Sequence, residues 1–435
     1  MRQFLVFQGP VATRSGYGDH ARDLLRSLIA MNRFDIKVIS LRWGNTPMNA
    51  LGEGDSDISN LIHHPKDGNL PKPDVFVQLS VPNEFQPLGQ YNIGITAGME
   101  TTLVHQEWIE GCNRMNLVVV PSQHSKEVFI NTVYSKMENG REIDKLSVKV
   151  PIEVLLEGVD TDTYFKITDH DSENSIDTSI QETLDAIPEE FCFLQMGHWL
   201  QGDHTHDRKD IGGCIESFCK AFDGTKNRPA MVLKTSHATF SVIDKVQMLE
   251  RIKGITSQFQ NPPNVYLIHG DLTDSEVNSL YNHSKIKTMV SFTHGEGYGR
   301  PLAEFSTSGK PIISTWWSGH KDFLKHSVRL IGSMSKVHNT AVWDKVIIPE
   351  SQWFYVNYKF AIKAMKDVFN NYKKMLELGR RQRHFITKAG TMEVMNKQFA
   401  DMIEKCIPKQ AKELSLKLPE FDSIELPTLQ KAGEQ

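Results

Sequence analysis

Residues 291–315, SFTHGEGYGRPLAEFSTSGKPIIST, hold the densest concentration of chemically useful side chains in the chain. An apolar run ends at Ser291, a loop carries Gly295, Gly297 and Gly299, and Pro301 stands where a helix would begin. Proline suits that position because its φ is already helical and its missing N–H has no helical partner to lose. Gly309-Lys-Pro then closes the helix and starts the next strand. Amides from Gly299 to Leu302, with the positive helix end behind them, are expected to converge on an anion, and a diphosphate fits such a site. Glu296 lies in the loop and Glu304 one turn into the helix, so both carboxylates are expected to face one crevice. Beside a phosphate site, carboxylates serve as acceptors for sugar or ribose hydroxyls.

Two further segments have matching chemistry. His206-Asp-Arg-Lys-Asp-Ile211 follows an expected strand at 191–196 and a turn at Gly197, then leads into an amphipathic pattern at 211–222. Arg208 and Lys209 there would neutralise a diphosphate, or form the solvated start of a helix. Gly9-Pro-Val-Ala-Thr-Arg-Ser-Gly-Tyr-Gly18 lies between the first strand and the first helix and lacks the GxGxxG of a dinucleotide fingerprint.

The nonapeptide Glu296-Gly-Tyr-Gly-Arg-Pro-Leu-Ala-Glu304 resembles the E-x7-E signature of retaining GT-B glycosyltransferases similar to family 4. The resemblance implies that Glu304 holds the nucleotide ribose. It implies that Glu296 holds a donor-sugar hydroxyl and stabilises charge at the reacting centre. Gly297, Tyr298, Gly299, Arg300 and Pro301 would hold the phosphates. Arg208 and Lys209 match the family's basic pair, although His198 stands where an Arg usually follows the glycine. The first glycine loop would bring Gly16, Tyr17 and Gly18 near the donor phosphate. Asp19 beside it is the candidate general base should the product be inverted. Glu100 or His105, after the strand expected at 92–96, would touch the acceptor or simply cap a helix. The implied fold is α/β: two Rossmann-like domains facing a cleft, with a C-terminal helix returning to the N-terminal domain. The implied reaction takes a nucleotide-sugar, UDP-sugar favoured, with no further cofactor and no metal, because Arg208, Lys209 and the amides supply the positive charge.

The layout of IGITAGMETT, GDLTDSEVNSLYNH and a Leu-Pro tail also resembles glycosyltransferases of large tailed phages. A 5-hydroxymethyl pyrimidine in duplex DNA is then the favoured acceptor. A polysaccharide or lipid transferase is the alternative, though the amphipathic basic–aromatic helix usual in the N-terminal domain of such enzymes has no convincing counterpart here. An inactive binding module is another, and the intact Glu296, Glu304 and Lys209 argue against it. Lys373, Lys374, Arg380, Arg381, Arg383, His384 and Lys388 form one dense basic cluster, either a surface for duplex phosphates or a solvated helix face.

The elements that must position these residues can be read from periodicity. Short apolar runs at 4–7, 36–41, 75–79, 92–96, 117–121 and 150–156 alternate with helical patterns, which implies βαβ units and a parallel sheet. The same scheme restarts at 191–196 and continues through 230–234, 265–268, 288–291 and 311–314. At 435 residues the chain is expected to hold two domains. Residues 1–165 form the N-terminal acceptor domain, 166–190 an acidic linker, and 191–392 the donor domain. A helix near 393–407 would cross back, and residues 408–435 form an extended or disordered tail. An aromatic, Met-rich helical region is expected from 353.

Composition narrows the classes. Hydrophobic residues at 39% and charged residues at 23% are those of a globular chain. A net charge of -4 gives no global attraction to nucleic acid or anionic membrane. Five scattered cysteines, with no CxxC pair, argue against a disulfide framework and a zinc site. His63, His64, His204 and His206 lack ligand spacing. Asp160-Thr-Asp162 is formally the metal–nucleotide DxD of the GT-A fold, but it falls at the domain junction. No apolar stretch approaches a membrane span, so a cytoplasmic protein is expected.

Overall fold

The computed structural model describes residues 2–138, 141–168, 176–237 and 240–408. The tail expected at 408–435 lies, beyond Pro408, outside them, as do residues 169–175 of the acidic stretch.

Two parallel six-stranded sheets dominate. The first contains β1 (Gln3–Gly9), β2 (Phe34–Ser40), β3 (Val75–Leu79), β4 (Tyr91–Ile95), β5 (Leu117–Val120) and, after a hairpin of β6 (Tyr134–Glu138) and β7 (Arg141–Leu146), β8 (Ile152–Val154). Its order is β2-β1-β3-β4-β5-β8, parallel throughout. The second is built from β9 (Cys192–Met196), β10 (Ala230–Lys234), β11 (Val265–Ile268), β12 (Ile286–Ser291), β13 (Ile312–Thr315) and β14 (Val328–Leu330), in the order β11-β10-β9-β12-β13-β14. Central strands such as Val75–Leu79 and Leu117–Val120 are buried along their whole length, which explains their unbroken apolar sequence.

The helix Met392–Cys406 returns as expected. Its Met395, Phe399 and Ile403, spaced one turn apart, are buried in the core beneath the first sheet with Leu5, Leu24 and Leu28. Each such fully buried side chain contributes about 1.5–3 kcal/mol.

Two hairpins depart from the alternating scheme. β6 and β7 extend from the N-terminal domain with almost every residue exposed. β15 (Gly332–Lys336) pairs antiparallel with β16 (Gln352–Val356). Residues 353–356, expected to open a helical region, are therefore strand, and helix begins only at Tyr358. Trp-Phe-Tyr-Val is a run of strong β formers; what fixes them in a strand is a partner more than fifteen residues upstream.

Candidate active site

The order of the second sheet reverses between β9 and β12, and ligands of open α/β sheets bind at such a reversal, outside the carboxyl ends of the strands. The loop after β9 carries Arg208 and Lys209, and the loop after β12 carries Glu296. A backbone bond joins these loops: His294 N donates to Arg208 O at 2.8 Å, and Thr293 Oγ1 lies 3.1 Å from the same carbonyl. Asp210 ends the first loop in the left-handed region at φ 47° and caps the helix Ile211–Phe222 by accepting from Gly213 N. Tyr358 Oη donates to its other oxygen at 2.7 Å.

Glu296 is the focus of this construction. Lys209 Nζ donates to Oε1 at 2.5 Å, Arg208 Nη1 to Oε2 at 2.8 Å and Thr293 Oγ1 to Oε1 at 2.9 Å. Its backbone N donates to Ser318 Oγ at 2.9 Å. Burial alone would push its pKa up, but the two cations outweigh it and hold the carboxyl well below the usual range. Burial pulls Lys209 below the ordinary lysine value, against the attraction of Glu296. The Lys209 stem passes over Gly197, where a Cβ would come within 3.1 Å of it. Glu100, from the N-terminal domain, reaches Arg208 at 3.7 Å, so two carboxylates and two cations meet across the cleft.

A second cluster surrounds Arg300. Its Nη1 donates to Asp23 Oδ2 at 2.8 Å and to Glu157 Oε2 at 3.2 Å, and its Nε lies 3.5 Å from Glu304 Oε1. Burial pushes Glu157 and Glu304 each up to about 7, against the pull of Arg300. Tyr281 Oη donates to Glu304 Oε2 at 3.4 Å. Asp19, paired with Arg22, keeps 43% of its side chain exposed, and desolvation of the remainder raises its pKa against the pull of Arg300 and Arg22.

The glycine loop differs from its expected form. A Cβ on Gly295 would lie 1.9 Å from Glu100 O, and one on Gly297 1.9 Å from Ala97 O. These glycines let the backbones of the two domains touch. The expected fan of amides from Gly299 to Leu302 is also narrower. Pro301 has no N–H, and Leu302 N closes onto Gly299 O at 3.1 Å, at the start of a helix of six residues, Arg300–Phe305. Tyr298 is buried against Phe323.

In the first glycine loop, Ser15 caps the helix Gly16–Ala30 by accepting from Gly18 N, and a Cβ on Gly18 would strike Thr13 O at 2.2 Å. Tyr17 stacks on Trp43 at 3.8 Å, and its Oη accepts from Ala97 N. Gly16 has open space around it. His105 caps the helix Gln106–Cys112 through its Nδ1 and is not part of the charged cluster with Glu100. His198 is turned onto the carbonyl of His237 at 2.7 Å. Asp160 accepts from Asp162 N and Thr163 Oγ1, closing a turn. Among the described residues no three His, Cys, Asp or Glu side chains converge as a metal site.

Sequence reasoning missed Asp23, Glu157, Thr293, His294 and Ser318. Asp23 follows Asp19 by one helical turn, a spacing that signals a shared face. His294 carries no local signal. It is fully buried, stacked on Trp353 at 4.7 Å, with Nδ1 2.7 Å from Phe354 O and Nε2 3.1 Å from Thr205 O.

Two Rossmann-like sheets facing each other across this charged cleft define a GT-B fold. The chain is similar in structure to the sucrose-phosphate synthase of Thermosynechococcus elongatus, with a TM-score of 0.60, 11% identity and coverage of 93% of this chain and 99% of that one. It is also similar to Anabaena HepE in complex with UDP and glucose, with a TM-score of 0.54, 13% identity and coverage of 93% and 100%. For the trehalose-6-phosphate synthase OtsA the values are 0.59, 10%, and 94% and 100%. No protein-family model matches the chain, and no curated protein matches it in sequence.

Proposed function

We propose that this chain is a glycosyltransferase that moves a sugar from a nucleoside-diphosphate donor, a UDP-sugar being favoured, to an acceptor hydroxyl with retention at the anomeric carbon. Glu296 carries the reading: a buried, fully ionised carboxylate at the sheet reversal, gripped by two cations. Arg208 and Lys209 neutralise the diphosphate as it leaves with the nucleotide, and Glu296 faces the sugar, where positive charge grows. Glu304 takes the ribose hydroxyls. Gly16, Tyr17 and Gly18 approach the phosphate from the opposite domain. Two fixed cations beside the leaving group make a divalent metal unnecessary. HepE, of the same fold, was solved with UDP and glucose, which supports a uridine nucleotide here.

The favoured acceptor is a 5-hydroxymethyl pyrimidine in duplex DNA, with Glu100 at the acceptor side, and the working compartment is the cytoplasm, of the host if the chain is viral. None of the described helices is long and apolar enough to cross a membrane. The test is incubation with a panel of sugar nucleotides and either hydroxymethylated or plain DNA, read by nucleoside mass spectrometry. A hexosylated hydroxymethyl pyrimidine supports the acceptor. Nucleotide release without it keeps the transferase and removes the DNA. No turnover of any sugar nucleotide removes both. An inverted product would transfer the central role to Asp19 as general base.

A further inference from the structure

The helix Tyr372–Ala389 carries six Lys or Arg residues against one Glu, in a chain whose net charge is -4. All six basic residues are exposed. At 3.6 residues per turn, Lys373, Arg380, Arg381, His384 and Lys388 fall within an arc of about 100°. Gly379, Gln382 and Ile386, on the opposite side, are buried. The cationic stripe spans sixteen residues, Lys373 to Lys388, about 22 Å of helix.

The stripe does not end with the helix. Arg380, Arg381, His384 and Lys388 line a shallow groove of about 420 Å³ whose other wall includes His326. His326 N donates to Gln382 Oε1 at 2.9 Å, and Gln382 Nε2 to Phe323 O at 3.0 Å, fixing this wall to the helix. Lys325 lies over the Phe385 ring at 5.9 Å. Beyond it, Arg329 covers the exposed ring of Trp316 at 3.9 Å, with Lys321 at 5.5 Å from the same ring. Trp316 directly follows β13 and stands two residues before Ser318, which holds the Glu296 backbone. A basic strip therefore runs from the carboxyl edge of the donor sheet, beside the cleft, across to the far end of the helix.

We infer that this strip is a docking surface for the phosphate backbone of duplex nucleic acid. Charge, shape and composition select that partner. Strand phosphates rise by 3.4 Å each, so ~22 Å of cationic helix matches about six of them. Among the described residues, Arg381–Glu377 at 3.0 Å is the one ion pair that engages a cation of the stripe, and both partners are more than half exposed. An anionic bilayer would also attract the charges, but membrane-surface helices insert large apolar side chains. The large apolar side chain within the strip, Trp316, is covered by Arg329. Residues 409–435 contain four lysines against five carboxylates, too balanced a charge to complement the strip.

This deepens the acceptor reading, but it is tested with no sugar donor present, so the two fail separately. Binding of a labelled 30-base-pair duplex is measured between 50 and 200 mM NaCl. About five phosphate contacts give a slope of log K against log salt near −4.5. Replacing Arg380, Arg381 and Lys388 by Gln should make that slope shallower by nearly 3 while leaving UDP-sugar hydrolysis intact. The control is Gln at Lys226, Lys245 and Lys253, three exposed lysines that lie between β9 and β11 in the chain and are not part of the strip. It should leave the slope unchanged. An unchanged slope in the first variant, or an equal loss in the control, would overturn the assignment. So would cosedimentation with phosphatidylserine vesicles by a protein that does not bind the duplex.

Discussion

Arg300 of the second domain donates to Asp23 of the first at 2.8 Å, across the cleft that separates the two sheets. The same guanidinium serves Glu157 and Glu304, so one cation faces two buried carboxylates and a partly buried one and fixes how the domains meet. Removing one partner of a buried ion pair costs about 3–5 kcal/mol, because the other charges remain. Glu157 and Glu304 have pKa values raised to about 7, so they bind more protons folded than unfolded between about pH 4.5 and 7. Their contribution to stability is present at low pH and lost as pH rises through 7.

Arg300→Met is therefore expected to destabilise the protein by about 3 kcal/mol at pH 8 and by clearly less at pH 5.5, where Glu157 and Glu304 neutralise by protonation. Chemical denaturation at the two pH values measures this. An equal loss at both would mean that Arg300 acts through packing alone.

The raised pKa of Glu304 also has a catalytic consequence. Only the ionised form accepts fully from two ribose hydroxyls, so kcat/KM for the donor should rise with pH through about 7. Glu304→Gln should flatten that rise, whereas Glu157→Gln should retain it. A rise that survives Glu304→Gln would assign the titration to another group, with Glu157, also at about 7, the first candidate.

Gly297 and Gly16 should respond in opposite ways to alanine. A Cβ at Gly297 meets backbone at 1.9 Å, so Gly297→Ala must separate the loop from Ala97 and should reduce turnover at least 10²-fold while the far-ultraviolet spectrum is retained. Gly16 has open space, and Gly16→Ala should leave stability within about 1 kcal/mol of the parent chain or slightly above it. Normal turnover in Gly297→Ala would contradict the close approach of the domains.

The two-sheet plan was legible because each central strand is a short apolar run between turn residues, a signal that survives without context. Glu296, Glu304, Arg208 and Lys209 were legible through motif spacing. Arg300 was expected among the phosphate-binding residues of the loop, and its bridge between the domains was not legible, because its partners Asp23 and Glu157 lie 277 and 143 residues away. Residues 353–356 were read as helix because their pairing with β15 is set by tertiary contact. At Gly295 and Gly297 the sequence shows that a side chain is excluded, but not that the backbones of Glu100 and Ala97 exclude it.

The central claim is that Glu296 faces the reacting sugar and Glu304 the nucleotide ribose, and donor kinetics of the two Gln variants test it most directly. Glu304→Gln loses a charged hydrogen bond of about 1.5–3 kcal/mol to a part of the donor that does not change during transfer. It should appear as a donor KM raised roughly 10- to 100-fold with kcat nearly preserved. Glu296→Gln removes the charge beside the anomeric carbon and should lower kcat on the order of 10²–10³-fold, with a smaller effect on KM. The opposite assignment of the two effects would mean a donor lying reversed in the cleft. Unchanged kcat and KM in both variants would contradict the account.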